Sequence, residues 1–209
     1  MRRFEPVTGV AALLDRDDID TDQILPAANM RGAKIDYGAG LFANWRREPE
    51  FVLSQPRYAR TRILVAGSNF GCGSTREHAA WALDGFGIRV ILARGFGEVF
   101  RENCLRNALL PVTLAAEPHA RLVAAVAAAD GQQAFHVDLA AQRMTGPGDF
   151  SLDFDVAPVE RVALLEGLDD IGLTLRFREA IAAHEAAQRQ SRPWLQRMDP
   201  PGWNPRVAG

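Results

Sequence analysis

The sequence predicts an α/β fold with a partly parallel sheet flanked by helices, and three observations carry that expectation. Between residues 62 and 114, short apolar runs alternate with helix-like segments, the pattern of βα units whose strands lie parallel. Glycine turns stand at two strand-to-helix joints, Gly71-Cys72-Gly73 and Gly95-Phe96-Gly97. Further on, residues 135–154 alternate polar and apolar around Gly146-Pro147-Gly148-Asp149, which reads as an antiparallel hairpin.

Taken in order, Ile63-Leu64-Val65-Ala66 is a short strand of β-formers, and Ala79-Ala80-Trp81-Ala82-Leu83 demands a packed helix, placed over about residues 75–85. A second strand covers residues 90–93, a second helix about 98–107, and a short strand 112–114. The alanine-rich helix over 120–129 stops at Asp130-Gly131. Phe135-His136-Val137-Asp138-Leu139 alternates; Gln142-Arg143-Met144 extends it across Ala140-Ala141, and the chain returns through Phe150-Ser151-Leu152-Asp153-Phe154. A helix over 160–166, a turn over 167–172 and a last helix over about 177–190 follow. This gives one domain over residues 1–190. Pro193, Pro200, Pro201 and Pro205, with Trp194 and Trp203, make residues 191–209 an irregular tail.

Composition excludes several function classes. With 209 residues and 47% hydrophobic content, the chain can bury a real core. A net charge of −2 gives no general attraction to nucleic acid or to acidic membranes. An apolar run of spanning length and a hydrophobic leader are both absent from the sequence, so a cytoplasmic protein is expected. Cys72 and Cys104 are the two cysteines, too few for a disulfide framework, a structural zinc or an iron–sulfur cluster. No metal site is expected in this chain, and any cluster must come from another. Cys104 falls four residues after Phe100 on an apolar helix face and reads as a buried structural thiol. Cys72 reads as a small residue tolerated among glycines rather than as a reactive one.

The acidic run Asp15-Arg16-Asp17-Asp18-Ile19-Asp20-Thr21-Asp22-Gln23 fails as a calcium loop. Counted from Asp18, Gln23 stands where glycine is obligatory and Asn29 where the closing glutamate belongs. The loop Gly67-Ser68-Asn69-Phe70-Gly71-Cys72-Gly73-Ser74-Thr75-Arg76-Glu77-His78 is the richest in chemistry. It is not a Walker loop, because no lysine follows Gly73, and not a dinucleotide fingerprint, because Arg76 replaces the third small residue. Ahead of a helix, its free N–H groups and the positive dipole end suit an anion. Ser74 with Glu77 matches a capping box, yet a hydroxyl in that potential also suits catalysis. Arg76 is either a solvated surface arginine or the holder of a bound dianion. For His78 the reading is a packed or capped histidine.

Three motifs together carry a resemblance: Asp20-Thr21-Asp22-Gln23-Ile24-Leu25-Pro26, the stretch from Phe70-Gly71-Cys72-Gly73-Ser74-Thr75-Arg76-Glu77-His78 through Leu83, and Gly167-Leu168-Asp169-Asp170-Ile171-Gly172-Leu173-Thr174-Leu175. Over residues 4–190 the chain resembles the small-subunit family of bacterial 3-isopropylmalate dehydratases, which corresponds to the swivelling β/β/α fourth domain of aconitase. The resemblance implies half an enzyme, whose large partner subunit binds a [4Fe-4S] cluster. The implied reaction interconverts 2-isopropylmalate and 3-isopropylmalate by dehydration and rehydration, a step of leucine biosynthesis. It further implies that Ser74 is the catalytic base, that Thr75, Arg76 and Arg31 bind substrate, and that Asp22 orients the site from behind.

Two departures stand out. Thr75 replaces a usual serine, and Arg31-Gly32 lacks the Thr-Arg-Thr-Gly type of stretch within the recognition loop over 27–40, where Arg31 and Lys34 are the cations. Another 2-hydroxy diacid as substrate, or a stand-alone anion-binding module, are the alternative readings.

Overall fold

A computed structural model describes residues 1–30 and 35–194. Two compact units divide the chain at Leu168. In the first unit, seven strands form a single sheet in the order β4-β3-β2-β1-β5-β6-β7. Its members are β1 (Val7–Leu14), β2 (Thr61–Ala66), β3 (Val90–Ala93), β4 (Leu110–Thr113), β5 (Ala134–Asp138), β6 (Arg143–Thr145) and β7 (Ser151–Asp153). The first four run parallel, while β5, β6 and β7 add on antiparallel beside β1. The partly parallel α/β sheet expected from the sequence is therefore present.

The helices of this unit are α1 (Thr21–Ile24), α2 (Tyr37–Gly40), α3 (His78–Phe86), α4 (Glu98–Arg106), α5 (Ala116–Ala129) and α6 (Pro158–Glu166). Every residue of β3 and all but Arg62 of β2 are buried, as expected of parallel strands covered on both faces. Their alternate side chains divide the core. Leu64, Ala66, Ile91 and Ala93 join Ala80 and Leu83 of α3 and Phe100 and Cys104 of α4. Ile63, Val65, Val90 and Leu92 join Leu122 and Val126 of α5 and Leu164 of α6. The second unit contains α7 (Asp170–Leu175) and α8 (Arg178–Ser191).

Besides residues 170–172, expected as part of a turn but opening α7 behind the Asp169 cap, two local expectations are corrected. Gln142-Arg143-Met144 does not prolong the preceding strand. The chain turns at residues 139–142, with Gln142 at φ 51°, and β6 returns against β5, so three strands meander where one hairpin was read. Asp138 stabilises that turn, its carboxylate accepting the N–H groups of Ala140 and Ala141 at 2.8 and 3.0 Å. Second, α3 starts at His78 rather than near residue 75. That delay shapes the site.

Candidate active site

The site lies where the chain leaves the carboxyl ends of β1 and β2, the position at which open α/β sheets bind ligands. The two exit segments run side by side. Gly67 N–H donates to Arg16 O at 3.0 Å, Asp18 N–H to Ser68 O at 2.9 Å, Gly71 N–H to Ile19 O at 2.7 Å and Thr21 N–H to Cys72 O at 2.9 Å. The acidic run works within this pairing. Asp17 accepts the Ser68 N–H at 2.5 Å, and Asp18 accepts the Asn69 amide at 2.8 Å. Asp20 caps α1, accepting the Gln23 N–H at 2.7 Å while the Gln23 side chain accepts the Asp20 N–H at 2.9 Å.

The exit from β3 closes the other flank, through Phe70 N–H to Gly95 O and Gly97 N–H to Phe70 O, both 2.9 Å. Gly71 makes this possible. It sits at φ 76° with its missing Cβ directed at the Phe100 ring, so a larger residue would be strained in backbone and in space.

The loop then delivers Ser74. Its N–H donates to the Thr21 hydroxyl at 3.0 Å, and Thr21 is 6% exposed. Its own Oγ accepts the Arg76 N–H at 3.2 Å and the Arg76 Nε–H at 3.1 Å. The capping box expected between Ser74 and Glu77 does not form. Glu77 is the N-cap of α3, without a side-chain cap bond. The physical reason is competition: the Ser74 oxygen is occupied by Arg76, and the Glu77 carboxylate accepts the Asn107 amide at 3.2 Å. Polar support for a negative Ser74 oxygen therefore comes from Arg76 rather than from a cap bond into the helix.

Ser74 is half-buried, whereas Thr75 and Arg76 are exposed. With no carboxylate among the described residues does Arg76 form an ion pair. Asp22, Met30, Ser74, Arg76 and His78 share one open depression, so the structure brings Asp22 to the same place as Ser74 and Arg76. Thr75 does not line it, and Arg31, the residue after Met30, lies outside the described residues.

His78 is packed, as read from the sequence. Its ring lies 4.7 Å from Trp81 and 5.8 Å from Tyr37. Its Nδ1 is buried and has no hydrogen-bond partner among the described residues. Tyr37 reaches it because α2 crosses α3 with backbone against backbone. A Cβ on Gly38 would lie 2.5 Å from the Gly85 carbonyl carbon.

Neither cysteine is poised for chemistry. Burial, followed by the negative charges of Asp20 and Asp18, pushes the Cys72 thiol up, and full burial pushes Cys104 far higher. Among the described residues, no group of three or more His, Cys, Asp or Glu could hold a metal ion. No described helix is long and apolar enough to cross a membrane.

Reading by sequence assigned no role to Thr21, although it lies inside a quoted motif; only the pairing of the two exit segments puts its hydroxyl under Ser74.

Comparison with known proteins agrees with this architecture. The Aconitase C-terminal domain model matches residues 1–117, and the model for the C-terminal domain of the 3-isopropylmalate dehydratase small subunit matches residues 170–197. The 3-isopropylmalate dehydratase small subunit of Rhodospirillum centenum is 46% identical over 201 residues, covering 93% of this chain and 98% of that protein. The protein of the same name from Neisseria meningitidis serogroup C is 41% identical over 211 residues, covering 93% and 99%. A crystal structure of 3-isopropylmalate dehydratase from Methanocaldococcus jannaschii shares the fold, with a TM-score of 0.60 and 23% identity over 87% of this chain and 99% of that one. With relatives this similar along nearly its whole length, the chain belongs to the family of 3-isopropylmalate dehydratase small subunits.

Proposed function

We propose that this chain is the small subunit of 3-isopropylmalate dehydratase and that residues 74–76 are its contribution to an active site completed by a large partner subunit. The reaction is the interconversion of 2-isopropylmalate and 3-isopropylmalate by loss and readdition of water, within leucine biosynthesis in the cytoplasm. The observation that carries this reading is the state of Arg76. It donates twice to the Ser74 oxygen, is exposed, and forms no ion pair with a carboxylate among the described residues.

A dehydratase of this kind must take a weakly acidic proton from the carbon beside a carboxylate and stabilise the dianionic state that follows. Ser74 is the group proposed to take it. Two donors on its oxygen favour the negatively charged form over the neutral one, and Thr21 fixes its backbone from below. With its Nε on Ser74, Arg76 keeps both terminal nitrogens for a substrate carboxylate, in the fork geometry that guanidinium provides. Thr75 offers a second, exposed hydroxyl beside them, and Arg31 follows the depression in sequence. Asp22, on the rim of the same depression, orients rather than transfers protons.

Two cysteines, one buried in the core, do not make a cluster site in this chain. The [4Fe-4S] cluster is accordingly assigned to the large subunit, where it supplies a Lewis acid for the departing hydroxyl. A stand-alone anion-binding module is not favoured by the names of the relatives, nor is another 2-hydroxy diacid as substrate.

The test is co-expression with the large subunit and assay of 2-isopropylmalate turnover through the ultraviolet absorbance of the unsaturated intermediate. Activity should need both chains. Turnover by either chain alone, or none from the complex, would defeat the reading.

A further inference from the structure

Residues 74–76 belong to no helix or strand, so something must hold their backbone. From one side Thr21 does. From the other side α4 does, through two asparagines one helical turn apart. Asn103, 3% exposed, donates its side-chain amide to the Thr75 carbonyl at 3.1 Å. Asn107 donates to the Glu77 carboxylate at 3.2 Å and accepts the Trp81 indole N–H at 3.1 Å.

The carbonyl that Asn103 grips shares its peptide plane with the Arg76 N–H, and that N–H donates to Ser74 Oγ at 3.2 Å. A donor on the carbonyl side polarises the peptide and strengthens the donation from its nitrogen. It also fixes the plane, because a peptide unit does not twist freely.

We propose that Asn103 is a positioning residue for the reaction, acting through the Thr75–Arg76 peptide on the Ser74 oxygen. The inference rests on the reading of Ser74 as the base. The Asn103 bond leaves α4 and ends on the Thr75 carbonyl, the one joined directly to the Arg76 nitrogen. Asn103 touches neither substrate nor the reacting atoms, so its effect belongs in the turnover step rather than in binding.

Asn103→Leu keeps the branch at Cγ, with methyl groups somewhat larger than the amide, and removes the donor. In the complex with the large subunit, kcat should fall about tenfold, the scale of one hydrogen bond. KM should stay within about twofold, since Arg76 keeps its charge and its free nitrogens. The rising limb of the kcat–pH profile should move to higher pH, because a less polarised Arg76 N–H gives a negative Ser74 oxygen less support. Unchanged kcat with an unmoved limb, or an effect confined to KM, would overturn the proposal.

Circular dichroism and complex formation serve as the folding control. If the variant does not fold, the labelled wild-type subunit answers directly. A through-hydrogen-bond coupling between the Asn103 side-chain nitrogen and the Thr75 carbonyl carbon is expected by NMR, and its absence overturns the relay. Ser74→Ala separates the two levels. If that variant turns over normally, the assignment of the base fails. If it is inactive while Asn103→Leu behaves as wild type, the relay alone fails.

Discussion

The two glycine-led connections of the parallel sheet begin alike and end differently. After β3, the chain passes through residues 94–97 and enters α4 at once, with Gly97 as N-cap and Glu98 in the first turn. After β2, it runs from residue 67 to 77 before α3 begins. The short connection is closed. Its Gly97 has room for no side chain, since a Cβ there would lie 2.6 Å from the Gly71 carbonyl oxygen. The long one projects Thr75 and Arg76 into solvent and holds Ser74 by its backbone and its hydroxyl. The difference shows that the glycines do not make the site. They let two loops pack against each other, and the postponed helix start leaves hydroxyls and a guanidinium outside the hydrogen-bond ladder.

Removing the chemistry of the long connection should have the largest effect. Ser74→Ala, assayed in the complex, should lose turnover by about 10²–10⁴-fold, the scale of a positioned base, while substrate binding largely survives. Near-normal turnover would make the two connections equivalent.

Next comes their mutual packing. Gly71→Ala forces a β-carbon into the Phe100 ring at positive φ and should cost about 2–4 kcal/mol of stability, read by urea unfolding. A loss below about 1 kcal/mol would show that the loops part easily.

Arg76→Lys keeps the charge but loses both the fork and the Nε donor to Ser74, so KM should rise about tenfold and kcat should fall by about as much. Thr21→Val keeps the shape and leaves the Ser74 N–H without its acceptor. About 1–2 kcal/mol of stability should go, together with part of kcat.

The smallest effect is expected at Cys72. Burial and the carboxylates of Asp20 and Asp18 raise its thiol, so at a given pH less of it is thiolate than in a free cysteine. At pH 8 iodoacetamide should alkylate it more slowly than a free cysteine, and the midpoint of the rate should lie at higher pH.

Much of the fold was legible because it follows from local rules. The run at residues 90–93 is buried throughout as β3, the Asp130-Gly131 stop ends α5 with Asp130 left-handed at φ 44°, and the buried thiol of Cys104 fell out of apolar spacing. The β5–β6 turn was missed because Ala140-Ala141 carries no turn signal of its own. Asp138, two residues earlier, supplies the acceptor. The candidate site was half legible. Ser74, Arg76 and Asp22 were named from motifs, and the depression they share was not visible without the fold. Arg31 lies outside the described residues.

By itself, then, the sequence determined the alternation of strands and helices, the glycines at the joints, the shortage of cysteines and the family. Those depend on neighbours in the chain or on simple counts. Only the tertiary structure decided that Ser74 is not a helix cap, that Thr21 lies under it and that α4 reaches back to the Thr75 carbonyl. In each case a hydroxyl, carboxylate or amide had several partners within reach of its sequence position. The Ser74 oxygen was taken by Arg76 two positions on, whereas the Thr21 hydroxyl, the Glu77 carboxylate and the Asn103 amide found partners 28 to 53 positions away.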